Sequence, residues 1–352
     1  MFFNLPLAET PTSFRLSSAV RSTLIEQCKA HSNIAQHQQI GLSEASEPID
    51  AFIIGSGEKK ISLISGSHSD EPVGAETLRA LINQLLQNQQ SYRELLRQFQ
   101  FLIIPQINPD GERINYRWAE KWPDVAEYLK HAFREKPGRD LEFGYPDMRQ
   151  ENRVISAFLK QHAPIDLHVS LHGMAYSEGA MLLINTSWID RTTQLRQAFV
   201  KNAQQEGLGL HSHDRKGEKG FDYIGPGFTT TPRGRAMQQY FFERDDAVTA
   251  GKFRLSSMEY VQGLGGDPLC LVTELPLFLI NNSGEASPGL PENYLAFRAI
   301  IPELQRRAIA GEDLSSPLKS FQLQPLALEK AVRLQFGVIE AGIKAVAGTF
   351  GI

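Results

Sequence analysis

"ISLISGSHSDEPVG", Ile61 to Gly74, begins as an apolar run and turns polar within two residues, setting out His68, Asp70 and Glu71 before Pro72. The apolar part reads as a buried strand. From Val73 onwards, Val73, Leu78, Leu81, Ile82 and Leu85 recur at helical spacing, and Pro72 stands where a helix start allows it. The stretch is therefore a strand, a short polar loop and a helix. An imidazole and two carboxylates in such a loop are either a solvated turn or a metal site at the carboxyl end of a strand.

Working outward, residues 16–40 read as a polar helix. "DAFIIG" and "KISLIS" read as strands around the turn residues "GSGEKK", and "QFLIIPQI" as another strand closed by the turn formers "NPDG". Residues 115–150 read as an irregular surface excursion, "MRQENRVISAFLKQH" as a helix, and "PIDLHVSLHG" and "AMLLIN" as strands. Residues 190–206 read as a helix and 207–267 hold few clear elements. "DPLCLVTELPLF" reads as a strand leading into a proline turn, and "PENYLAFRAIIPELQRRAI" as a helix. Strands alternating with amphipathic helices predict an α/β protein with a largely parallel, twisted sheet. The expected organisation is one domain over 1–352, with its core at about 45–310 and a helical tail at 311–352. Ligands gather beyond the carboxyl ends of strands in such sheets. "HSDE", "NPDGER", His172 and Glu274 all fall at such ends.

The 352 residues carry 36 Lys and Arg against 40 Asp and Glu, a net charge of -4, which gives no footprint of nucleic-acid or membrane-surface binding. Cys28 and Cys270 are the two cysteines, too few for a disulfide scaffold and suited to a reducing compartment. The opening "MFFNLPLAETPTSFRLSS" lacks a secretion signal's basic start and long apolar segment, and no run is long enough to span a membrane. The expectation is a soluble cytoplasmic protein.

A loop can aim His68 and Glu71 at one point, and both residue types ligate zinc at about 2.0–2.2 Å. Catalytic zinc usually takes three protein ligands and leaves a position for water. His172 is the preferred third ligand because it ends an apolar strand. His168 competes, being four residues earlier and so on the same strand face. Asp166 shares that face and is a candidate to orient a ligand histidine.

"SGSHSDEPVG", "INPDGERIN", "SLHG" and "LVTEL", in that order, resemble the M14 zinc metallocarboxypeptidases over about Ile61 to Phe278. The resemblance implies an α/β/α sandwich around a mixed, mostly parallel eight-stranded sheet. It implies one zinc ion on His68, Glu71 and His172, Glu274 as general base, and Arg113 as the cation that polarises the scissile carbonyl. It departs from the family at "GRDLEFGYP", where Glu142 and Phe143 stand in place of the Asn and Arg that grip a substrate's terminal carboxylate. Glu142 is then either a substrate-binding anion, favouring an amine, or a solvated residue. Arg139, Arg149, Arg233 and Arg235 are candidates for the missing cation. Tyr260, in a Gly-rich stretch, is a candidate for the family's mobile tyrosine, with core packing as its alternative.

The expected function is zinc-dependent amide hydrolysis with non-standard recognition of the substrate's C-terminus. Two alternatives accompany it. One is an N-acyl amino-acid deacylase resembling the aspartoacylase and succinylglutamate desuccinylase branch, where "IDLH" would promote His168. The other is an inactive metal-binding or interaction protein on the same scaffold. The expected partners are a peptide or acyl amino-acid substrate, with no nucleic acid and no membrane.

Overall fold

The computed structural model describes residues 10–280 and 288–348. The first residues of the N-terminal segment and the last four of the C-terminal tail lie outside the described residues. The strands are β1 (Ala35–Leu42), β2 (Pro48–Ile54), β3 (Lys59–Ser65), β4 (Phe99–Ile104), β5 (Leu167–Ser177), β6 (Gly179–Ile184), β7 (Gly209–Leu210), β8 (Tyr223–Gly225), β9 (Phe228–Thr230), β10 (Leu269–Leu279) and β11 (Gln324–Pro325). They form one mixed sheet in the order β1-β2-β4-β3-β5-β10-β6-β9-β8, with β7 on β6 and β11 on β10. The centre, β4-β3-β5-β10, is parallel throughout. Among the described residues the sheet thus has eleven strands where eight are expected. Four of them, β7, β8, β9 and β11, are ladders of only two or three residues, too short to leave a period-two pattern.

Helices cover both faces, as strands buried on both sides require. Alternate residues of the central strands serve opposite layers. Ile61, Leu63, Leu167, Val169, Leu171 and Leu271 pack with the helices Val73–Gln87 and Leu328–Ala347. On the other face, Ile64, Leu102 and Ile104 pack with Ile155, Phe158 and Leu159 of the helix Gln150–His162. Each fully buried aliphatic side chain contributes about 1.5–3 kcal/mol.

Two glycines let the decisive loop form. Gly66, at φ 85°, turns the chain off β3 against Gln106, whose Oε1 lies 1.8 Å from where a Cβ would stand. Gly74 lets the helix Val73–Gln87 approach the sheet, since a Cβ there would come within 2.7 Å of the Ser65 Cβ and 2.8 Å of the Leu171 Cβ. Buried Arg79 ties this helix to its surroundings, donating to Glu76 at 2.6 Å and to Glu112 at 2.7 Å.

Three local expectations are corrected. Residues 16–40 divide into a helix, Ser17–Ala30, and β1. "NPDG" opens the helix Pro109–Ala119 rather than closing a turn, because the Asn108 side chain accepts from Gly111 N at 3.1 Å and Pro109 takes the first helical position. β10 runs through Pro276, which sits beyond the last β6 pair, Glu274 with Met181, so its missing N–H breaks no ladder on that side.

Candidate metal and hydrolase site

The loop after β3 places His68 and Glu71, and β5 carries His172. Their ligand atoms all lie within 4.8 Å of one another. His68 Nδ1 is 3.1 Å from Glu71 Oε1, and His172 Nδ1 is 3.1 Å from both Glu71 Oε2 and His68 Nδ1. Two imidazole lone pairs that face each other beside a carboxylate repel unless a positive charge lies among them. A divalent cation with nitrogen and oxygen ligands meets that requirement.

The far side of each imidazole is also built. His68 Nε2 faces Asp140 Oδ2 at 3.5 Å. His172 Nε2 faces Ser170 Oγ at 2.9 Å and Glu142 Oε2 at 3.2 Å. A carboxylate behind a ligand imidazole holds the proton on the outer nitrogen and leaves the inner lone pair free for metal. Without metal, burial opposes protonation of His172, but Glu142 and Glu71 outweigh it and bring its pKa to about 9. Burial likewise raises Glu71, yet His68 and Arg134 hold its carboxyl well below the ordinary range. The donor set fits zinc.

Glu274 lies beside His172 in the parallel register of β10 on β5, and it lines the same cleft of about 400 Å3 as His68 and Glu71. Burial, then the charge of Glu71, raises its pKa to about 7.

Other expectations fail on position. His168 is fully buried, its Nδ1 3.1 Å from Ser62 Oγ, and burial lowers its pKa to about 4. It lies four residues deeper than the site, so His172 is the residue brought to Glu71. Asp166 orients no imidazole, since its carboxylate accepts from Lys60 N at 2.8 Å. Arg113 is exposed, 3.5 Å from Glu47, and lines a different cleft. Its neighbour Glu112 takes the inward position, and one residue turns a helix by about 100°. Glu142 is buried behind His172 instead of facing substrate, and Ser257 Oγ donates to it at 3.3 Å. Tyr260 stacks on Tyr145 at 5.7 Å and donates to Ser156 O at 3.0 Å, which is core packing. Arg139 pairs with Glu44, Arg149 is buried against Glu151 at 2.7 Å, and Arg233 and Arg235 are exposed, so none of the four lines the cleft.

Arg134 stands where Arg113 is expected. Its Nε donates to Asp70 Oδ1 at 2.8 Å, and its guanidinium also pairs with Glu71. Asn115 holds the preceding residue, accepting from Phe133 N at 2.9 Å and donating to Phe133 O at 2.8 Å. In the sequence Arg134 lies in a charge-rich stretch with no periodicity, and only the alternation of Asn115 with a distant backbone aims it.

Residues 21–188 match the family model described as zinc carboxypeptidase. Carboxypeptidase B of Astacus astacus is 25% identical over 114 residues, 32% of this chain and 38% of its own length. Carboxypeptidase 2 of Trichophyton tonsurans is 36% identical over 121 residues, 33% of this chain and 20% of its own length. The chain thus spans well under half the length of these curated relatives. The structure of carboxypeptidase A from Helicoverpa armigera superposes with a TM-score of 0.54 at 14% identity, covering 96% of this chain and 75% of that one. The metallo-carboxypeptidase from Burkholderia cenocepacia gives 0.52 at 14% identity, covering 94% and 69%. At these identities the superpositions establish the fold. With a family match over just under half of its length, residues 21–188, and a shared fold over nearly all of it, the chain is similar to the M14 zinc carboxypeptidases.

Proposed function

We propose that this protein is a zinc-dependent peptidase that hydrolyses an amide bond with one metal ion held by His68, Glu71 and His172. The observation that carries the reading is the convergence of those three ligand groups with Glu274 as lateral neighbour of His172. Bound zinc supplies Lewis acidity and lowers the pKa of water from about 15.7 to about 7. The Glu274 carboxylate takes a proton from the attacking water and returns it to the departing nitrogen, a task suited to a group that titrates near neutrality. Arg134, with its guanidinium on Asp70 and Glu71, offers a fixed cation to the negative charge that develops on the carbonyl oxygen. Gly173 N donates to Glu71 Oε2 at 3.1 Å and keeps that ligand oriented.

A peptide is favoured over an acyl amino acid, because the matched family is that of the zinc carboxypeptidases and because His168, which the deacylase reading would promote, faces Ser62. Among the described residues no helix is long and apolar enough to cross a membrane. We place the protein in the cytoplasm on its two free, buried thiols. We read it as a single domain, since the helix Leu328–Ala347 packs on the sheet that carries the site.

Metal content of the purified full chain, measured beside turnover of peptides with free or amidated C-termini and of acyl amino acids, tests the reading. His68→Ala is expected to lose zinc. Glu274→Gln is expected to keep zinc and to lose turnover by about 10²–10⁴-fold. A zinc-replete Glu274→Gln protein with unchanged turnover would refute it.

A further inference from the structure

The cleft that holds the metal-ligand triad is not uniformly charged. His68, Asp70, Glu71, Asp140 and Glu274 line it around the paired Arg134, and Arg215, Lys219 and Arg298 line it without such partners. These cations come from two separate elements. Arg215 and Lys219 lie between β7 and β8, where Lys216, Gly217, Lys219 and Gly220 all have positive φ. Arg298 lies on the helix Glu292–Ala310, one turn after Tyr294.

Several buried or half-buried arginines elsewhere have acids: Arg79 has Glu76 and Glu112, Arg149 has Glu151, and Arg333 has Glu206. Among the described residues Arg215 and Arg298 have no ion pair, and Lys219 reaches only Glu218, at 4.0 Å. Arg298 is exposed, and Arg215 and Lys219 lie on aromatic surface. The Arg215 guanidinium lies 4.4 Å from the Phe221 ring centroid, and the Lys219 ammonium 4.6 Å from that of Tyr240. Such faces position a cation without neutralising it. The crowding is felt locally: burial, then Arg215, Arg298 and Arg244, lower the Lys219 pKa against the opposing pull of Glu218. Like charges gathered in a concave wall, with only Glu218 at 4.0 Å from one of them, are relieved by an anion.

We infer that Arg215, Lys219 and Arg298 form a carboxylate-binding wall that selects peptides with an acidic side chain two or more residues from the scissile bond. This rests on the peptidase reading of the metal site. The spacing argues for a side chain over the terminal carboxylate of a single leaving residue. The helix that carries Arg298 docks at the far end of β5, with Phe297 against Tyr176 at a centroid distance of 4.8 Å and Tyr294 N donating to Glu178 Oε1 at 3.1 Å. Tyr176 is four residues beyond His172, about 13 Å along a strand. An extended peptide needs about 3.3–3.6 Å per residue, so a group held there belongs to a residue well removed from the one cleaved.

The test uses the zinc-loaded full chain and matched peptides that carry Glu or Gln at that distance, each with a free and an amidated C-terminus. Binding of the same peptides to zinc-loaded Glu274→Gln, read by fluorescence anisotropy, runs alongside. The Glu peptide is expected to be preferred at least about tenfold in kcat/KM and in affinity. The loss in Arg298→Gln is expected to be about 10–100-fold for the Glu peptide alone, mainly in KM, as removal of a charge-assisted hydrogen bond implies. Arg298→Lys restores part of the preference, and Lys216→Ala, on the exposed neighbour, leaves it unchanged. Equal binding of Glu and Gln peptides overturns the proposal. So does a preference that follows the free C-terminus alone, which would assign the wall to the terminal carboxylate. Selective binding of the Glu peptide without cleavage of any peptide upholds the wall and sinks the peptidase reading.

Discussion

Glu142→Gln separates two roles for one carboxylate. The sequence offers Glu142 as a group at the substrate pocket, and the structure puts it behind His172, 4% exposed, with Oε2 3.2 Å from Nε2. An outer carboxylate on a ligand imidazole is typically worth about 10–100-fold in metal affinity. Ser170 Oγ, at 2.9 Å, remains as a second partner for Nε2 in the variant, and glutamine keeps the volume and an acceptor oxygen. The loss should therefore fall at the lower end, about tenfold in zinc Kd, or about 1.4 kcal/mol. Chelator competition on the purified variant measures it, with thermal unfolding as the control for folding. With zinc in excess, KM should stay within about twofold of the parent. Unchanged zinc affinity combined with a raised KM would refute the reasoning and return Glu142 to the substrate side.

Three further outcomes are expected. Arg134→Gln should lower kcat/KM by about 10²–10³-fold, as loss of one oxyanion donor does, while the exposed Arg113→Gln stays near the parent; the reverse order in steady-state kinetics would reinstate Arg113. Gly74→Ala should cost about 1–3 kcal/mol in urea unfolding, because its Cβ meets Ser65 and Leu171 below 3 Å, and an unchanged midpoint would contradict the packing. His168 is neutral when folded, with a pKa of about 4 against 6.5 unfolded, so its contribution is present above pH 6.5 and drains away as pH falls towards 4, by about 3 kcal/mol. Stability followed from pH 7 to pH 4 should be flatter in His168→Gln, and parallel curves would show that the buried imidazole is not the cause.

The strand–loop–helix unit around His68 was legible because each part has its own strong signal. The apolar run 61–65 has no polar residue at a core-facing position other than serines, and the helix Val73–Gln87 has an unbroken apolar stripe. His172 and Glu274 were legible as polar residues interrupting apolar runs, although they lie in the middle of β5 and β10 rather than at the strand ends expected, because both strands run five residues past them. Arg113 misled because adjacency in sequence to "NPDG" was read as adjacency to the site, whereas the motif begins a helix and a helix turns successive residues apart. Arg134 left no signal, since its aim comes from Asn115, nineteen residues upstream, gripping the backbone beside it. The cationic wall was hidden for the same reason: its members are scattered over 215–298 and meet only because the helix Glu292–Ala310 docks at the end of β5.

The side-by-side placement of Glu274 and His172 on hydrogen-bonded parallel strands has an evolutionary corollary. A slip of one residue between β5 and β10 would swing the acid to the opposite layer of the sandwich, so the reaction centre is guarded by the ladder itself and by every core side chain that fixes its register. The segment from 209 to 221, by contrast, answers to no ladder longer than three residues. Lengthening or recharging it would retune which peptides enter while leaving the hydrolytic centre intact, so new specificities on this scaffold should arise there first.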